Sequence, residues 1–254
     1  MRYDTILSDV LKVADEASER VLHIYQSDFK VSFKGDESPI TAADIASHEV
    51  IARGLRSISS DIPILSEEGQ EIPWDERRHW RRFWLIDPVD GTREFTQRSG
   101  EFTVNIALIE NGSPVLGVVT VPVSGEAYWG VVGEGAHKRD RAGHRQEIRV
   151  IEPRKPLRVV ASKNHLNEET RAFIDGMGEH ELIQAGSSLK FCRIAEGRAD
   201  VYPRLGPTCE WDTAAAQAVL VAAGGRVETL NGEALRYGKQ NLLNPHFIAS
   251  SGWV

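Results

Sequence analysis

One segment of this chain reads Trp84-Leu85-Ile86-Asp87-Pro88-Val89-Asp90-Gly91-Thr92. Residues 83–86 are all apolar, which predicts a short strand that is buried on both faces. The strand brings Asp87 and Asp90 to its C-terminal end, where functional sites of α/β proteins tend to lie. Pro88 stiffens the turn between the two carboxylates, and Gly91 allows the backbone to come close to a ligand. The segment therefore predicts a site built on paired acids.

The residues around these acids favour a metal ion and a phosphate. Thr92 is expected to begin a short helix, whose free N–H groups suit a phosphate. Two carboxylates, the backbone carbonyl of Val89 and a phosphate would form an oxygen site of the kind that Mg²⁺ prefers. An ordinary surface turn is the alternative, because Pro and Asp-Gly are common turn residues. The apolar strand in front of the turn favours the metal site.

Three further acids are candidate site residues, each with a simpler structural interpretation. Glu67 follows a short apolar strand and is either a metal ligand or a solvated loop acid. Asp212 lies at the start of a predicted helix, where an acid also serves as a helix cap. Asp44 completes a capping box with Thr41, or acts as a base or an orienting partner. Single motifs leave these alternatives open.

Basic side chains are concentrated at two places. Ser187 and Lys190 lie at a predicted helix start, where hydroxyls, free N–H groups and a lysine suit an anion; a helix cap with a surface lysine is the alternative. Four arginines between residues 77 and 82 alternate with tryptophans, which indicates either a nucleic-acid surface or a solvated basic face. The chain has 30 basic and 37 acidic residues and a net charge of −7. Nucleic-acid binding depends on Lys and Arg contacts to phosphates, so we interpret these arginines as a solvated face.

Composition and missing motifs exclude several classes of protein. Cys192 and Cys209 are far apart and neither is in a CxxC motif, which indicates a reducing compartment rather than a disulfide scaffold. The N-terminal residues lack an apolar signal region, and no apolar run approaches the ~18 residues of a membrane span. We therefore expect a cytoplasmic protein. Phosphate loops, His-Glu-x-x-His motifs and complete dinucleotide fingerprints are missing, which disfavours kinases and dehydrogenases.

Periodicity along the chain predicts an α/β protein. Apolar residues at spacings of three and four predict helices over 4–27 and 41–58. Short strands are expected at 30–35 and 62–65, and residues 103–132 are expected to form a meander. The second half has predicted strands near 157–161, 181–185, 199–203 and 246–250, and predicted helices near 167–176, 187–196 and 212–224.

A change in pattern near Pro153 and Pro156 divides the chain. We expect an N-terminal α+β layer over 1–154, with the metal and catalytic motifs, and a C-terminal α/β layer over 155–254, with the substrate-binding motifs. Both are expected to belong to one compact unit.

Five motifs occur in order along almost the whole chain. They are Pro39-Ile40-Thr41-x-x-Asp44, Ser66-Glu67-Glu68-Gly69, the segment from Trp84 to Thr92, Trp211-Asp212-x-Ala214-Ala215, and Ala223-Gly224-Gly225. In this order they resemble the inositol monophosphatase superfamily, the Mg²⁺-dependent and lithium-sensitive sugar-phosphate phosphatases. The resemblance implies the sugar-phosphatase fold, with five layers in the order α/β/α/β/α.

The resemblance also implies a role for each motif residue. Asp44 and Thr92 would orient and deprotonate the attacking water. Glu67, rather than Glu68, would be a metal ligand together with Asp87, Asp90, Asp212 and the Val89 carbonyl, for two or three Mg²⁺ ions. The implied substrate-binding residues are Glu67, Val89, Asp90, Gly91, Thr92, His165, Ser187, Lys190, Arg204 and Asp212.

Within the superfamily the chain most resembles the CysQ-type 3′(2′),5′-bisphosphate nucleotidases. Three segments distinguish this group from the other members of the superfamily: Gly186-Ser187-Ser188-Leu189-Lys190-Phe191-Cys192, Tyr202-Pro203-Arg204 and Gly206-Pro207-Thr208-Cys209-Glu210-Trp211-Asp212. Its extra cations make physical sense, because a nucleotide bisphosphate has a second phosphate that needs a counter-charge.

This resemblance implies removal of the 3′-phosphate of adenosine 3′,5′-bisphosphate, giving AMP and phosphate, and activity on the sulfated form of that nucleotide. The alternatives are an inositol monophosphatase or related sugar-phosphate phosphatase and, in a different class, a non-catalytic regulator that binds nucleotide or metal. Sulfate assimilation and a loose association with the inner face of the membrane are implied by the resemblance alone. No motif indicates an oligomeric state.

Overall fold

The computed structural model describes residues 3–33, 39–162 and 166–252. These ranges contain both helices and strands. The helices are α1 (Tyr3–Tyr25), α2 (Ala42–Ile58), α3 (Trp74–Arg77), α4 (Thr92–Thr96), α5 (Glu168–Asp175), α6 (Leu189–Ala195) and α7 (Ala214–Ala222). The strands are β1 (Val31–Phe33), β2 (Pro39–Thr41), β3 (Ile64–Ser66), β4 (Arg82–Asp90), β5 (Thr103–Glu110), β6 (Ser113–Val121), β7 (Glu126–Val131), β8 (Gly135–Arg139), β9 (Arg145–Ile148), β10 (Leu157–Ser162), β11 (His180–Ala185), β12 (Val201–Arg204), β13 (Arg226–Thr229) and β14 (Phe247–Ser250).

Most predicted elements are present, with ends shifted by a few residues. The sequence analysis missed β8, β9 and β13, in which buried side chains are a minority. Such strands lack the regular apolar alternation on which strand prediction depends. The turn between β5 and β6 lies at Asn111 and Gly112, and both residues have the positive φ, 50° and 76°, that a tight hairpin turn requires.

Two large sheets form the framework of the described residues, beside a small hairpin of β1 and β2. The larger sheet has seven strands in the order β3-β4-β5-β6-β7-β8-β9. Strands β3 and β4 are parallel, and the other neighbours in this sheet are antiparallel. The second sheet has five strands in the order β11-β10-β12-β14-β13, with β10 parallel to both of its neighbours. Strand β14 is antiparallel to both of its own neighbours.

The side chains of β4 show how the first layers are arranged. Phe83, Trp84, Leu85 and Ile86 are all buried, which confirms the predicted strand with two covered faces. Trp84 and Ile86 pack in one apolar cluster with α1 and α2. Phe83 and Leu85 belong to another cluster, which contains residues of α6, α7 and the five-stranded sheet. Alternate side chains of a strand point to opposite faces, so the larger sheet lies between two helical layers.

Helix α5 covers the far side of the smaller sheet. Its Ile174 packs with Val159 and Val201 of that sheet in a third cluster. The order is therefore α1 and α2, the seven-stranded sheet, α6 and α7, the five-stranded sheet, and α5. This is the five-layer α/β/α/β/α fold that the sequence resemblance implies.

Helix α7 packs closely against the larger sheet at two glycines. A Cβ atom at Gly117 of β6 would lie 2.1 Å from the backbone oxygen of Ala215. A Cβ atom at Gly130 of β7 would lie 2.7 Å from the Cβ of Ala222. The small residues of α7 and the two glycines thus allow a close helix-to-sheet contact, which holds the segment in front of α7 near the end of β4.

The arginines between residues 77 and 82 form only part of the solvated face that we expected, because Arg78 and Arg81 are exposed and Arg77 is not. Arg77 is buried, and its guanidinium donates hydrogen bonds to the backbone oxygens of Ile72, Lys239 and Gln240. Arg82 forms an ion pair with Glu110 at 2.8 Å. The interpretation was wrong for Arg77 because two of its partners, Lys239 and Gln240, lie more than a hundred residues away, which no local pattern shows.

We keep the division at residues 154 and 155 as a proposal. It is supported by the chain order of the sheets, because the seven-stranded sheet ends with β9 and the five-stranded sheet begins with β10. The shared apolar cluster between them contains residues of both parts. Within the described ranges, no helix has both the length and the apolar character needed to cross a membrane.

Candidate active site

The end of β4 aims its two acids into a cleft. The strand continues through Pro88 to Asp90, four residues further than predicted, and its pairing with β5 is irregular between Asp87 and Asp90. Such an irregularity re-aims side chains. Asp87 is buried, and its Oδ1 accepts a hydrogen bond from the backbone N–H of Val89 at 3.1 Å.

Three carboxylates from separate parts of the chain meet beside this strand end. One carboxylate oxygen from each of Glu67, Asp87 and Asp212 lies within 4.8 Å of the other two. Glu67 directly follows β3, and its backbone N–H donates to the Ile86 oxygen at 3.3 Å. Asp212 lies just before α7, and its Oδ2 accepts from the Cys209 N–H at 2.8 Å. The cluster is an all-oxygen donor set of the kind that Mg²⁺ prefers.

The pKa values of the acids indicate a need for a cation. Burial, followed by repulsion from the like charges of Glu67 and Asp90, raises the pKa of Asp87 well above its ordinary value. Burial and then Asp90 raise the pKa of Asp212 to about 8. The pKa of Asp90 is raised to about 6 by burial, although Lys190 lowers it. Repulsion between crowded carboxylates is relieved by a bound divalent cation, so these residues fit a metal centre.

Asp90 is held by the segment that precedes α6. Its backbone oxygen accepts the Ser187 hydroxyl, and its Oδ2 accepts the backbone N–H of Ser188 at 2.6 Å. Ser187 has a φ of +51°, which non-glycine residues rarely adopt. A Cβ at Gly91, whose φ is +94°, would lie 2.7 Å from Ser187 Oγ, so glycine is required at that position.

Asp44 and Thr92 lie next to each other at the start of two helices. Thr92 begins α4, as expected, and its Oγ1 lies 3.3 Å from Asp44 Oδ1 and 3.4 Å from the Val89 oxygen. The other carboxylate oxygen of Asp44 accepts from the backbone and the hydroxyl of Thr41. The capping box is therefore present, and the same aspartate also contacts the cleft residue Thr92.

Two cations line the same cleft as the acids, and the volume of this cleft is about 590 Å³. Lys190 and Arg204 line it and are largely buried. Burial lowers the pKa of Lys190 to about 8, and its Nζ donates to the Ser187 oxygen. Arg204 donates from Nη2 to the Pro207 oxygen at 2.8 Å, while its buried Nε has no hydrogen-bond partner among the described residues.

The structure brings together all but two of the predicted site residues along this cleft. Asp44 lies behind it, in contact with Thr92. His165 lies outside the described residues. The cleft residues among the predictions are Glu67, Asp87, Val89, Asp90, Gly91, Thr92, Ser187, Lys190, Arg204 and Asp212.

Two local expectations about this site need correction. Asp212 is not a helix cap, because α7 begins at Ala214 after an N-cap at Thr213 without a side-chain bond. The N–H of Ser188 is not free for an anion, because it donates to Asp90. Asp212 lies instead beside Glu67 and Asp87, and Ser188 is bound by Asp90. The pattern of residues at a helix start does not encode such tertiary contacts.

The sequence analysis assigned no role to Thr103 and Asn105 of β5. Both are buried and hydrogen-bonded beneath Asp90. The sequence did contain a signal for Asn105, because this polar residue lies between apolar residues of β5. A buried amide needs hydrogen-bond partners, so its position indicated a polar contact inside the protein.

Comparisons with known proteins agree with this geometry. The sequence model of the inositol monophosphatase family matches residues 3–253. The chain is 47% identical to the 3′(2′),5′-bisphosphate nucleotidase CysQ of Salmonella typhimurium, over 95% of this chain and 98% of that protein. The corresponding protein of Escherichia coli (strain K12) is 46% identical, over 96% of this chain and 99% of that protein.

A solved structure is similar over the same length. The crystal structure of CysQ from Bacteroides thetaiotaomicron, described as a bacterial member of the inositol monophosphatase family, superposes with a TM-score of 0.88. It is 41% identical and covers 98% of this chain and 97% of that one. On the match to the family's sequence model and on these relatives, the chain belongs to the inositol monophosphatase family.

Proposed function

We propose that this chain is a Mg²⁺-dependent phosphomonoesterase that removes the 3′-phosphate of adenosine 3′,5′-bisphosphate, giving AMP and phosphate. The observation that carries the proposal is a single cleft that is lined both by crowded carboxylates and by two buried cations. Relatives named 3′(2′),5′-bisphosphate nucleotidase align over nearly the whole chain, which supports this substrate. We also expect activity on the sulfated nucleotide.

The metal ligands that we propose are the carboxylates of Glu67, Asp87, Asp90 and Asp212, with the Val89 carbonyl. Two or three Mg²⁺ ions are expected, in line with the family's general use of Mg²⁺. When bound, Mg²⁺ lowers the pKa of water and stabilises charge on a leaving oxygen. The spacing of the three clustered carboxylates supports the assignment.

Asp44 and Thr92 are proposed to position the attacking water and accept its proton. The Thr92 hydroxyl has one proton, for which Asp44 Oδ1 and the Val89 oxygen are the acceptors nearby. With that proton directed at Asp44, a lone pair of Thr92 Oγ1 is free to accept a hydrogen bond from water. The backbone N–H groups of Gly91 and Thr92 would hold the phosphate.

Lys190 and Arg204 are proposed to bind the second phosphate of the nucleotide, with Ser187 and His165 as further substrate contacts. A planar guanidinium binds phosphate through paired hydrogen bonds, and the unpartnered Nε of Arg204 is such a donor. An inositol monophosphate has only one phosphate, so it has no second phosphate for Lys190 and Arg204 to bind.

Phosphate release with Mg²⁺ tests the proposal, with adenosine 3′,5′-bisphosphate and inositol 1-phosphate compared at equal concentration. We expect a strong preference for the bisphosphate. Arg204→Gln should raise KM for the bisphosphate and leave that for inositol 1-phosphate nearly unchanged. Arg226→Gln, at an exposed position on β13, is the matched control. A preference for inositol phosphate would keep the phosphatase reaction and reject the nucleotide specificity, whereas inactivity on both would reject the phosphatase.

The cytoplasmic location and the loose membrane association stay predictions, and they rest on the cysteine pattern and the family resemblance. Fractionation of cells that express the chain, with a salt wash of the membranes, tests both. A role in sulfate assimilation is supported by the name of the relatives' activity.

A further inference from the structure

Three buried polar side chains form a closed hydrogen-bonded group beneath Asp90. Ser188 Oγ donates to Asn105 Oδ1 at 2.8 Å, and Asn105 Nδ2 donates to Thr103 Oγ1 at 3.2 Å. Thr103 Oγ1 lies 2.9 Å from Ser188 Oγ and 3.5 Å from Asp90 Oδ2. The exposed fraction is at most 1% for each of the three side chains. We call Thr103, Asn105 and Ser188 the polar triangle.

The chemistry of the Asn105 amide fixes the direction of two hydrogen bonds in the polar triangle. The Asn105 oxygen only accepts and its nitrogen only donates. Ser188 therefore directs its proton to Asn105, and Thr103 accepts from Asn105. The proton of Thr103 then points to Ser188 Oγ or to Asp90 Oδ2, and every member has a partner. Buried polar groups that are fully partnered in this way specify one local geometry.

The polar triangle joins the two sheets at the metal site. Thr103 and Asn105 belong to β5 of the larger sheet, whereas Ser188 directly follows the Gly186-Ser187 turn after β11 of the smaller one. The backbone N–H of Ser188 donates to Asp90 Oδ2 at 2.6 Å. The neighbouring Ser187 contacts the Asp90 backbone with its hydroxyl and Lys190 with its carbonyl. The side chain of Asp90 and the segment with Lys190 are thus placed by the same contacts.

We propose that Thr103, Asn105 and Ser188 are positioning residues that hold the Asp90 carboxylate for metal binding and hold residues 187–190 in register with it. The inference rests on the proposed function, because it assumes that Asp90 is a metal ligand. Partners of metal ligands orient them, and their loss typically lowers metal affinity about 10- to 100-fold. Because the same contacts place Lys190, the substrate should also bind more weakly when the polar triangle is broken.

Substitution of Thr103 separates this positioning role from simple packing. Thr103→Val keeps the shape and removes the hydroxyl, whereas Thr103→Ser keeps the hydroxyl and removes a methyl group. We expect Thr103→Val to raise the Kd for Mg²⁺, measured by calorimetric titration without substrate, by roughly 10-fold. Thr103→Ser should bind Mg²⁺ nearly as the unaltered protein does, although it loses buried methyl packing. The KM for adenosine 3′,5′-bisphosphate should follow the same order as the Kd.

Thr120→Val is the matched control. Thr120 is a buried threonine of the same sheet, and its Oγ1 lies 2.6 Å from Ser18 Oγ on α1, away from the cleft. It should leave the Mg²⁺ affinity unchanged. Ser188→Ala tests a second member of the polar triangle if Thr103→Val does not fold.

The outcomes separate the inference from the proposed function. Equal Mg²⁺ affinity in Thr103→Val and the unaltered protein overturns the inference alone, as does an equal loss in Thr103→Ser. Absence of Mg²⁺ binding by the unaltered protein overturns the proposed metal site and the inference with it. A loss confined to the variants without the hydroxyl supports the inference.

Discussion

Asp44 shows how one side chain takes part in both a helix start and a candidate reaction centre. Its Oδ2 accepts from the backbone N–H and the hydroxyl of Thr41, at 2.8 and 2.7 Å. Its Oδ1 faces Thr92. The sequence left a cap and a base as alternatives, but a carboxylate has two oxygens, and the structure directs them to different partners. The cap fixes the orientation from which the other oxygen reaches Thr92.

Replacement of Asp44 by Asn should lower kcat far more than it raises KM. The amide keeps one oxygen for the capping contacts, but it cannot accept a proton as a carboxylate does. General-base groups contribute about 10²- to 10⁴-fold to rate, so we expect a loss of about 100-fold or more in kcat, with KM changed only a few-fold. Steady-state kinetics at saturating Mg²⁺ measure both quantities.

Asp9→Asn is the control for this substitution, because Asp9 is exposed on α1 and forms an ion pair with Lys12 of the same helix. It should leave kcat unchanged. An Asp44→Asn enzyme with unchanged turnover would remove Asp44 from the proposed mechanism and leave it with its capping role.

At the scale of elements, the close contact between α7 and the larger sheet places Asp212. The segment before α7 contributes Asp212 to the carboxylate cluster. Gly117 lies directly under α7, where any side chain would meet the Ala215 backbone. The short distance between α7 and the sheet therefore requires glycine at position 117, as it does at Gly130.

Gly117→Ala should destabilise the protein and weaken Mg²⁺ binding together. The new Cβ would lie 2.1 Å from the Ala215 oxygen, so α7 must move, and overpacking of this kind costs about 1–3 kcal/mol. A displaced α7 moves Asp212 away from Asp87. Urea unfolding gives the loss of stability, and a Mg²⁺ titration gives the change in affinity.

Gly176→Ala is the matched change at an undemanding position. Gly176 is the C-cap of α5 with a φ of −70°, and a Cβ atom there would lie 3.3 Å from the backbone oxygen of Phe173 in the same helix. It should cost less than about 1 kcal/mol and leave Mg²⁺ affinity unchanged. Loss of stability in Gly117→Ala with unaltered Mg²⁺ affinity would show that α7 does not position Asp212.

At the scale of the whole molecule, the two sheets enclose a group of acids whose mutual repulsion opposes folding at neutral pH. The raised pKa values mean that the metal-free folded state holds protons that the unfolded chain releases. Its free energy of unfolding should therefore fall as pH rises from about 4, the ordinary carboxyl value, toward about 8. The upper end of this pH range is set by the pKa of Asp212, which is about 8 in the folded state. Lys190 has its pKa lowered to about 8 and begins to lose its proton near that pH. Its contribution to the free energy of unfolding therefore rises with pH, opposite to that of the acids.

Mg²⁺ should stabilise the protein more at about pH 7.5 than at about pH 5.5, because binding must displace the protons held by the acids. Thermal unfolding with Mg²⁺ or with chelator at the two pH values measures the difference in Tm. Sodium chloride at matched ionic strength controls for screening of charge. An equal increase in Tm at both values would contradict the proposal that these carboxylates bind the metal.

The sequence by itself determined the chemistry and the order of the elements. The apolar strand before Asp87 and Asp90, the helix start at Thr92 and the capping box at Asp44 are local patterns, because backbone propensity and side-chain periodicity act over a few residues. The resemblance of the motifs led to the five-layer fold and to the set of candidate ligands. Every one of these follows from residues that are close in the chain or from their order.

The tertiary structure alone decided which of these residues meet. Glu67, Asp87 and Asp212 converge because β3 pairs with β4 and because α7 lies close against β6 and β7. The polar triangle and the buried Arg77 likewise join segments that are far apart in sequence. Such contacts depend on how whole layers pack, and packing involves surfaces from distant segments at once. Local patterns therefore predict the helix or strand that each segment forms, whereas the packing of the layers decides which side chains meet at the candidate site.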